Sequence, residues 1–278
     1  MNGPGEPTKR TEDGRLLRQS ADSGTVMIET RGVSKHYGPF VALADITITL
    51  KAGEMVSIVG PNGAGKTTLV NVLTGLLRTT TGQVLFKGHD IAGIGPVRLA
   101  RLGMARSFQL VHIFPELTVE ETIAVAEIAR AGKAGRLWAS VRGDDAIHAR
   151  VREVAAIFGL DTKLDRPARV LSQGDKKLLD IASAFALAPE VILLDEPTSG
   201  ISTGDKHGIM KTLVEAARTA NVKAIILVEH DMDLVAEYSD RIIALQEGRI
   251  LADLPPTQFF ADPAIVAAVV GMKPVRHA

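Results

Sequence analysis

The chain has 278 residues, 46% of them hydrophobic and 23% charged, enough apolar material for one large core or two modest ones. Lys plus Arg and Asp plus Glu each number 32, so bulk charge gives no argument for nucleic acid, and no nucleic-acid partner is expected. Cysteine is absent, which excludes disulfides, thiolate nucleophiles and Cys-ligated zinc, and the longest purely apolar run, Ala264 to Val270, is far below the roughly 18 residues of a membrane span.

Residues 1–25 mix Gly, Pro and both charges without the apolar segment of a signal peptide, and read as a disordered extension. Strand signals begin with VMIET at Val26, continue in DITITL at Asp45 to Leu50 with period-two alternation, and reach the buried-type run MVSIV at Met55 to Val59. This reads as an antiparallel edge feeding a central strand. A Gly-rich loop follows at once and opens a helix from Lys66 to Leu77, where Leu69, Val70, Leu73 and Leu77 recur at helical spacing. After QVLFKG the pattern turns mostly helical, and a helical subdomain is expected from about Ile91 to Ala188. Within it Thr118 and Glu121 form a capping box, while Ile147, Val151, Val154 and Phe158 make an apolar stripe that Gly159 ends. The runs VILLDE at Val191 and AIILVEH at Ala224, separated by a helix, have the layout of a parallel sheet. RIIALQEGRILADL from Arg241 reads as a hairpin closed near Glu247 and Gly248. ADPAIVAAVVG reads as a helix with Asp262 as cap, Pro263 at its first position and Gly271 as its stop.

The segment Gly60, Pro61, Asn62, Gly63, Ala64, Gly65, Lys66, Thr67 matches G-x-x-x-x-G-K-[ST] between a predicted strand and a predicted helix. Glycines let backbone N–H groups turn toward phosphate oxygens, the helix N-terminus adds partial positive charge, Lys66 supplies a cation, and the Thr67 hydroxyl can ligate Mg²⁺. Asp195 and Glu196 end an apolar strand, which puts two carboxylates at the C-terminal edge of the sheet beside that loop. One can hold Mg²⁺ through water while the next polarises the attacking water. His230 ends the following strand in a similar position, where an imidazole can reach the γ-phosphate. None of the other six histidines reads as a metal ligand.

Six ordered motifs now stand together: Tyr37 in SKHYG, the loop from Gly60 to Thr68, Gln109 in RSFQL, LSQGD at Leu171 to Asp175, LLDEPTSG at Leu193 to Gly200, and EHDM at Glu229 to Met232. Their set resembles the nucleotide-binding subunit of an ABC transporter, from about Val26 to the C-terminus. The phrases GLLRTTTGQVLFKGHDI and VEHDMDLV are similar to importers of branched-chain amino acids and related amino acids or amides. The resemblance implies an α/β P-loop NTPase core sheet with an antiparallel β edge and an inserted helical subdomain, all within residues 26–278. It implies that Tyr37 stacks on the adenine of ATP, that Gln109 touches Mg²⁺ or the lytic water, that Asp195 is the Mg²⁺ residue and that Glu196 is the general base. Ser172 and Gly174 would close over the γ-phosphate of a facing subunit.

The partners implied are a second ABC ATPase subunit in a homo- or heterodimer, two transmembrane permease subunits and a soluble substrate-binding protein. The chain would then sit peripherally on the cytoplasmic face of the inner membrane. Val111, Phe114, Pro115 and Leu117 mark an expected docking groove for the permease, and the basic loop Arg130 to Arg142 with Trp138 suggests proximity to headgroups. Two positions depart from the family pattern. Asp175 stands where a neutral amide is usual, which is expected to repel phosphate and make the two ATP sites unequal, and Ser202 replaces an aspartate. Other readings are the ATPase of a lipid or lipopolysaccharide exporter, a soluble ABC-type regulator, or a P-loop kinase, for which LSQGD and His230 have no use.

Overall fold

A strand that is apolar on both faces must be covered on both, and β4 (Met55–Val59), apolar but for Ser57, and β9 (Ala224–Val228) are buried at every position. In the computed structural model, which describes residues 17, 24–107, 114–132 and 144–270, these two strands pair in parallel at the centre of a six-stranded sheet. Its order is β11 (Arg249–Leu254), β10 (Arg241–Gln246), β4, β9, β8 (Val191–Asp195), β7 (Met104–Arg106), with β11 alone antiparallel to its neighbour. Residues of β8 and β9 alternate between two cores. Val191, Leu193, Ala224 and Ile226 pack with helix α1 (Lys66–Leu73) and a second sheet, whereas Ile192, Leu194, Ile225 and Leu227 pack with a separate group of helices on the other face.

The second sheet is antiparallel, with order β2 (Phe40–Ile46), β1 (Val26–Tyr37), β5 (Thr81–Phe86), β6 (His89–Asp90), and with β3 (Thr49–Lys51) also on β1. The predicted single strand at Asp45 to Leu50 is thus two, because the chain leaves one stretch of β1 and rejoins another. Thr30, fully buried, bridges that break: its hydroxyl donates to the Ile46 carbonyl at 2.9 Å and accepts from the Ile48 N–H at 3.0 Å.

Helix α1 stops at Leu73, short of the predicted Leu77. Gly75 takes φ +69° there, and a Cβ on it would lie 2.2 Å from the Ile94 carbonyl, so the turn requires glycine. The span expected to be helical contains α2 (Pro96–Arg101), then strand β7, then α3 (Val119–Arg130), α4 (Asp145–Ile157) and α5 (Gln173–Ala186). Strand β7 was missed because three residues, Met-Ala-Arg, carry no periodicity. The capping box forms as its residues require, with the Glu121 N–H on the Thr118 hydroxyl and the Thr118 N–H on the Glu121 carboxylate. The stripe of α4 is buried throughout, and Phe158 meets Phe185 of α5 edge to face with ring centres 5.2 Å apart.

Helix α6 (Thr203–Thr219) joins β8 to β9, and α7 (Met232–Tyr238) joins β9 to β10. Past β11 come the short α8 (Pro256–Phe259) and α9 (Pro263–Val270), whose Asp262 carboxylate accepts the Ala264 N–H at 2.9 Å. Gly271, its expected stop, lies outside the described residues, as do Gln109, Val111 and Trp138. Among the described residues no helix is long and apolar enough to cross a membrane.

Leu17 falls inside the stretch read as a disordered extension, yet it is fully buried in the same apolar cluster as α5 and α6. Leu17→Ala is therefore expected to cost about 2 kcal/mol or more, in the range of buried leucine truncations, read as a lower denaturant midpoint. A substitution without effect would place that leucine outside the core.

Candidate nucleotide site

The loop between β4 and α1 is closed from behind by main chain. A Cβ on Gly60 would lie 2.3 Å from the Leu245 carbonyl, and one on Gly65 would lie 2.7 Å from the Ala42 carbonyl; both residues take positive φ. Gly248, in the turn between β10 and β11, donates its N–H to the Ala64 carbonyl at 3.0 Å and accepts from the Ala44 N–H at 2.8 Å. The turn thus ties the loop to the antiparallel sheet. Lys66 is buried, and its Nζ donates to the carbonyls of Gly60 and Pro61 at 2.7 and 3.0 Å. Burial lowers its pKa, while the carboxylates of Glu196 and Asp195 partly offset that. A cation held this way, ringed by loop backbone, suits an anion.

In front of the loop, Asn62, Gly63, Ala64, Gly65, Lys66, Thr67 and Thr68 line a cleft of about 270 Å³ together with Phe40, Glu196 and His230. An adjoining cleft of about 380 Å³ shares Thr67 and Glu196 and adds Asp195, Arg106 and Lys177. Glu196 occupies the left-handed region with φ +50°, rare for a side chain of its kind. Its N–H donates to the Val228 carbonyl at 2.9 Å, and its own carbonyl accepts from Lys177 Nζ at 3.0 Å. That backbone turn aims the carboxylate at His230, whose Nε2 lies 2.8 Å from Glu196 Oε1. Both side chains are more than 40% exposed, so the contact adds little stability, and its value lies in where it sits.

Asp195 is held differently. Arg106, on β7, donates to Asp195 Oδ2 and to Asn71 Oδ1, each at 2.6 Å, which links the strand-end carboxylate to helix α1. Neither Arg106 nor Lys177 was singled out from sequence: Arg106 opens the RSFQL motif that was read only for Gln109, and Lys177 lies just past LSQGD. Phe40 was missed too. Tyr37, half-exposed at the end of β1, pairs with Phe40 across the hairpin, yet Phe40 is the aromatic that lines the loop cleft.

Ser172 and Gly174 line neither cleft; they open α5, with the Ser172 hydroxyl accepting the Asp175 N–H at 3.1 Å. The Asp175 carboxylate has a cation beside it. Lys163 Nζ sits 2.7 Å from its carboxylate, and although burial pushes that carboxyl up, the hydrogen bonds from Lys163 and Ser172 hold it below the ordinary value. Ser202 donates to Asp205 Oδ2 at 2.7 Å, so a carboxylate stands one turn beyond the position where the family pattern has one.

Residues 43–199 match the family model of ABC transporters. The chain belongs to the ABC transporter ATPases. LivG of Escherichia coli K12, a high-affinity branched-chain amino acid transport ATP-binding protein, is 33% identical over 251 residues, covering 88% of this chain and 98% of LivG. A crystallised ATP-binding cassette of an ABC transporter in its ADP conformation is 29% identical, with a TM-score of 0.80 over 88% of this chain and 99% of that one. A dimeric cassette in a post-hydrolysis state, bound to ADP and Pi, is 25% identical, with a TM-score of 0.69 over 83% of this chain and 99% of its own.

In this cassette Lys66→Met is expected to weaken nucleotide binding by roughly 10- to 100-fold, the weight of a charge-assisted hydrogen bond. The nucleotide-free melting temperature should not fall, since a buried ammonium is removed. Because burial lowers the lysine pKa and the charged form binds phosphate, wild-type affinity should decline as pH rises toward the alkaline range earlier than an ordinary lysine would dictate. Titration of ADP by calorimetry across pH checks both.

Proposed function

We propose that the chain binds and hydrolyses ATP as the nucleotide subunit of an importer of branched-chain amino acids or related hydrophobic amino acids and amides. The observation that carries the hydrolytic part is the Glu196–His230 contact at the mouth of the glycine loop. Similarity to LivG along nearly all of LivG's length favours amino-acid import over an exporter or a soluble regulator.

In this reading Lys66 and the loop N–H groups of Gly60 to Thr68 hold the phosphates, and Phe40 and Tyr37 offer aromatic faces to the adenine. Thr67 and Asp195, hard oxygen ligands on one cleft, fit Mg²⁺, with Gln109 as a third oxygen donor. When bound, the ion neutralises charge on the β- and γ-phosphates. Glu196 accepts a proton from the attacking water, and His230 keeps that carboxylate turned toward the cleft and reaches the γ-phosphate. Ser172 and Gly174, at the N-terminus of α5, serve the site of a second ABC ATPase subunit. Two permease subunits and a soluble substrate-binding protein complete the assembly on the cytoplasmic face of the inner membrane. Phe114, half-exposed, is part of the permease contact.

Glu196→Gln is expected to retain ATP while turnover falls by roughly 10²- to 10⁴-fold, the usual contribution of a general base. Uptake of labelled leucine in cells whose only such subunit carries this change should fall with it; uptake at the wild-type level would reject the assignment of Glu196.

The Lys163–Asp175 pair gives a second expectation. Lys163→Ala leaves a bare carboxylate near the phosphate-facing end of α5 and lowers turnover of the assembled transporter, whereas the double change Lys163→Ala with Asp175→Gln restores it. Turnover that ignores Lys163 would mean the charge at Asp175 never meets the partner's phosphate.

A further inference from the structure

Glu229 has no role in the reading above, yet it is 4% exposed and carries a carboxylate. One oxygen accepts the Thr198 N–H at 3.2 Å and the Thr198 hydroxyl at 2.6 Å; the other accepts the His230 N–H at 3.2 Å. Each of these donors is neutral, and the Lys206 ammonium acts on the carboxylate only through space. A carboxylate buried under neutral donors is costly compared with an apolar side chain of the same shape, so it has a use other than filling space.

Its donors identify that use. Thr198, 1% exposed, lies two residues past Glu196 in the tight turn where the Ser199 N–H bonds the Glu196 carbonyl at 3.1 Å. His230 lies on the loop that leaves β9. The turn after β8 and the loop after β9 therefore meet at three places: the Glu196 N–H on the Val228 carbonyl, the Glu229 carboxylate on Thr198, and His230 Nε2 on Glu196. Only the second uses both loops' backbone N–H groups at once, one on each carboxylate oxygen.

We propose that Glu229 is the positioning residue of the hydrolytic pair: it fixes the main chain of His230 against the turn that carries Glu196, and so keeps the imidazole on that carboxylate. It lines neither cleft. This rests on the ATPase reading above. An amide cannot replace it, because glutamine turns an NH₂ group toward one of the donors.

The test uses the full chain with MgATP, measuring kcat, KM and ADP affinity for Glu229→Gln, alone and with His230→Ala. The expected result is a fall in kcat of roughly 10-fold or more, with KM and ADP affinity within about twofold of wild type. In the His230→Ala background the same change should cost nothing further, the non-additivity of two residues acting as a unit. Equal losses in both backgrounds, or an unchanged kcat, overturns the proposal. If Glu229→Gln does not fold, Thr198→Val removes one donor and should lower kcat alone, while Thr198→Ser, which keeps the hydroxyl, should restore it; a Thr198→Val enzyme at full kcat overturns the proposal as well. Wild-type turnover by Glu196→Gln would instead remove the hydrolytic reading itself.

Discussion

The phosphate loop is packed so closely from behind that two of its residues have no room for a side chain. Gly60 presses on the Leu245 carbonyl and Gly65 on that of Ala42, so one contact comes from the parallel sheet and the other from the antiparallel sheet. Main chain against main chain leaves the loop one place to present its N–H groups, which is forward into the cleft shared with Glu196 and His230. The buried ammonium of Lys66, bonded to carbonyls of its own loop, follows from the same confinement. Each later feature of the site is measured from that fixed wall.

On the opposite side of the cleft the geometry is made by loops, and hydrogen bonds take over from packing. Glu196 is held in a left-handed turn by the Val228 carbonyl and by Lys177 from α5, and the strand-end Asp195 by Arg106 from β7. Both cations come from segments that border or belong to the helical part of the chain. The site is therefore walled by main-chain packing where it meets the phosphates and held by hydrogen bonds where a water would be activated.

Much of this was legible in the sequence where a residue type has one use. A short, largely apolar run such as MVSIV reads as a strand covered on both sides, and a glycine loop between strand and helix with a terminal Lys-Thr admits few ligands. The capping box at Thr118, the stripe of α4 and the Asp262 cap were readable because each is a local rule. What escaped depends on contacts between distant segments. Strand β7 is too short to show a period, and Phe40 looks like any strand residue until the hairpin folds over the loop. The partner of Asp175, Lys163, could not be read because it lies in a different turn of the chain. Leu17 escaped for the opposite reason: one apolar residue in a polar stretch gives no pattern, and only the core it enters shows its purpose.

The central position of β4 bears on how the protein is made. Its two neighbours in the sheet are β9 and β10, and the turn at Gly248 closes the back of the loop, so apart from the Ala42 side of the wall the supports of the phosphate loop are encoded near the far end of the chain. Contacts of such wide sequence separation form slowly and late. On the ribosome, the motif written in the first quarter of the message has only the antiparallel edge beside it, and lacks its sheet neighbours until almost the whole chain has emerged. Nucleotide is then available to complete the fold, but it has no preformed loop with which to nucleate it.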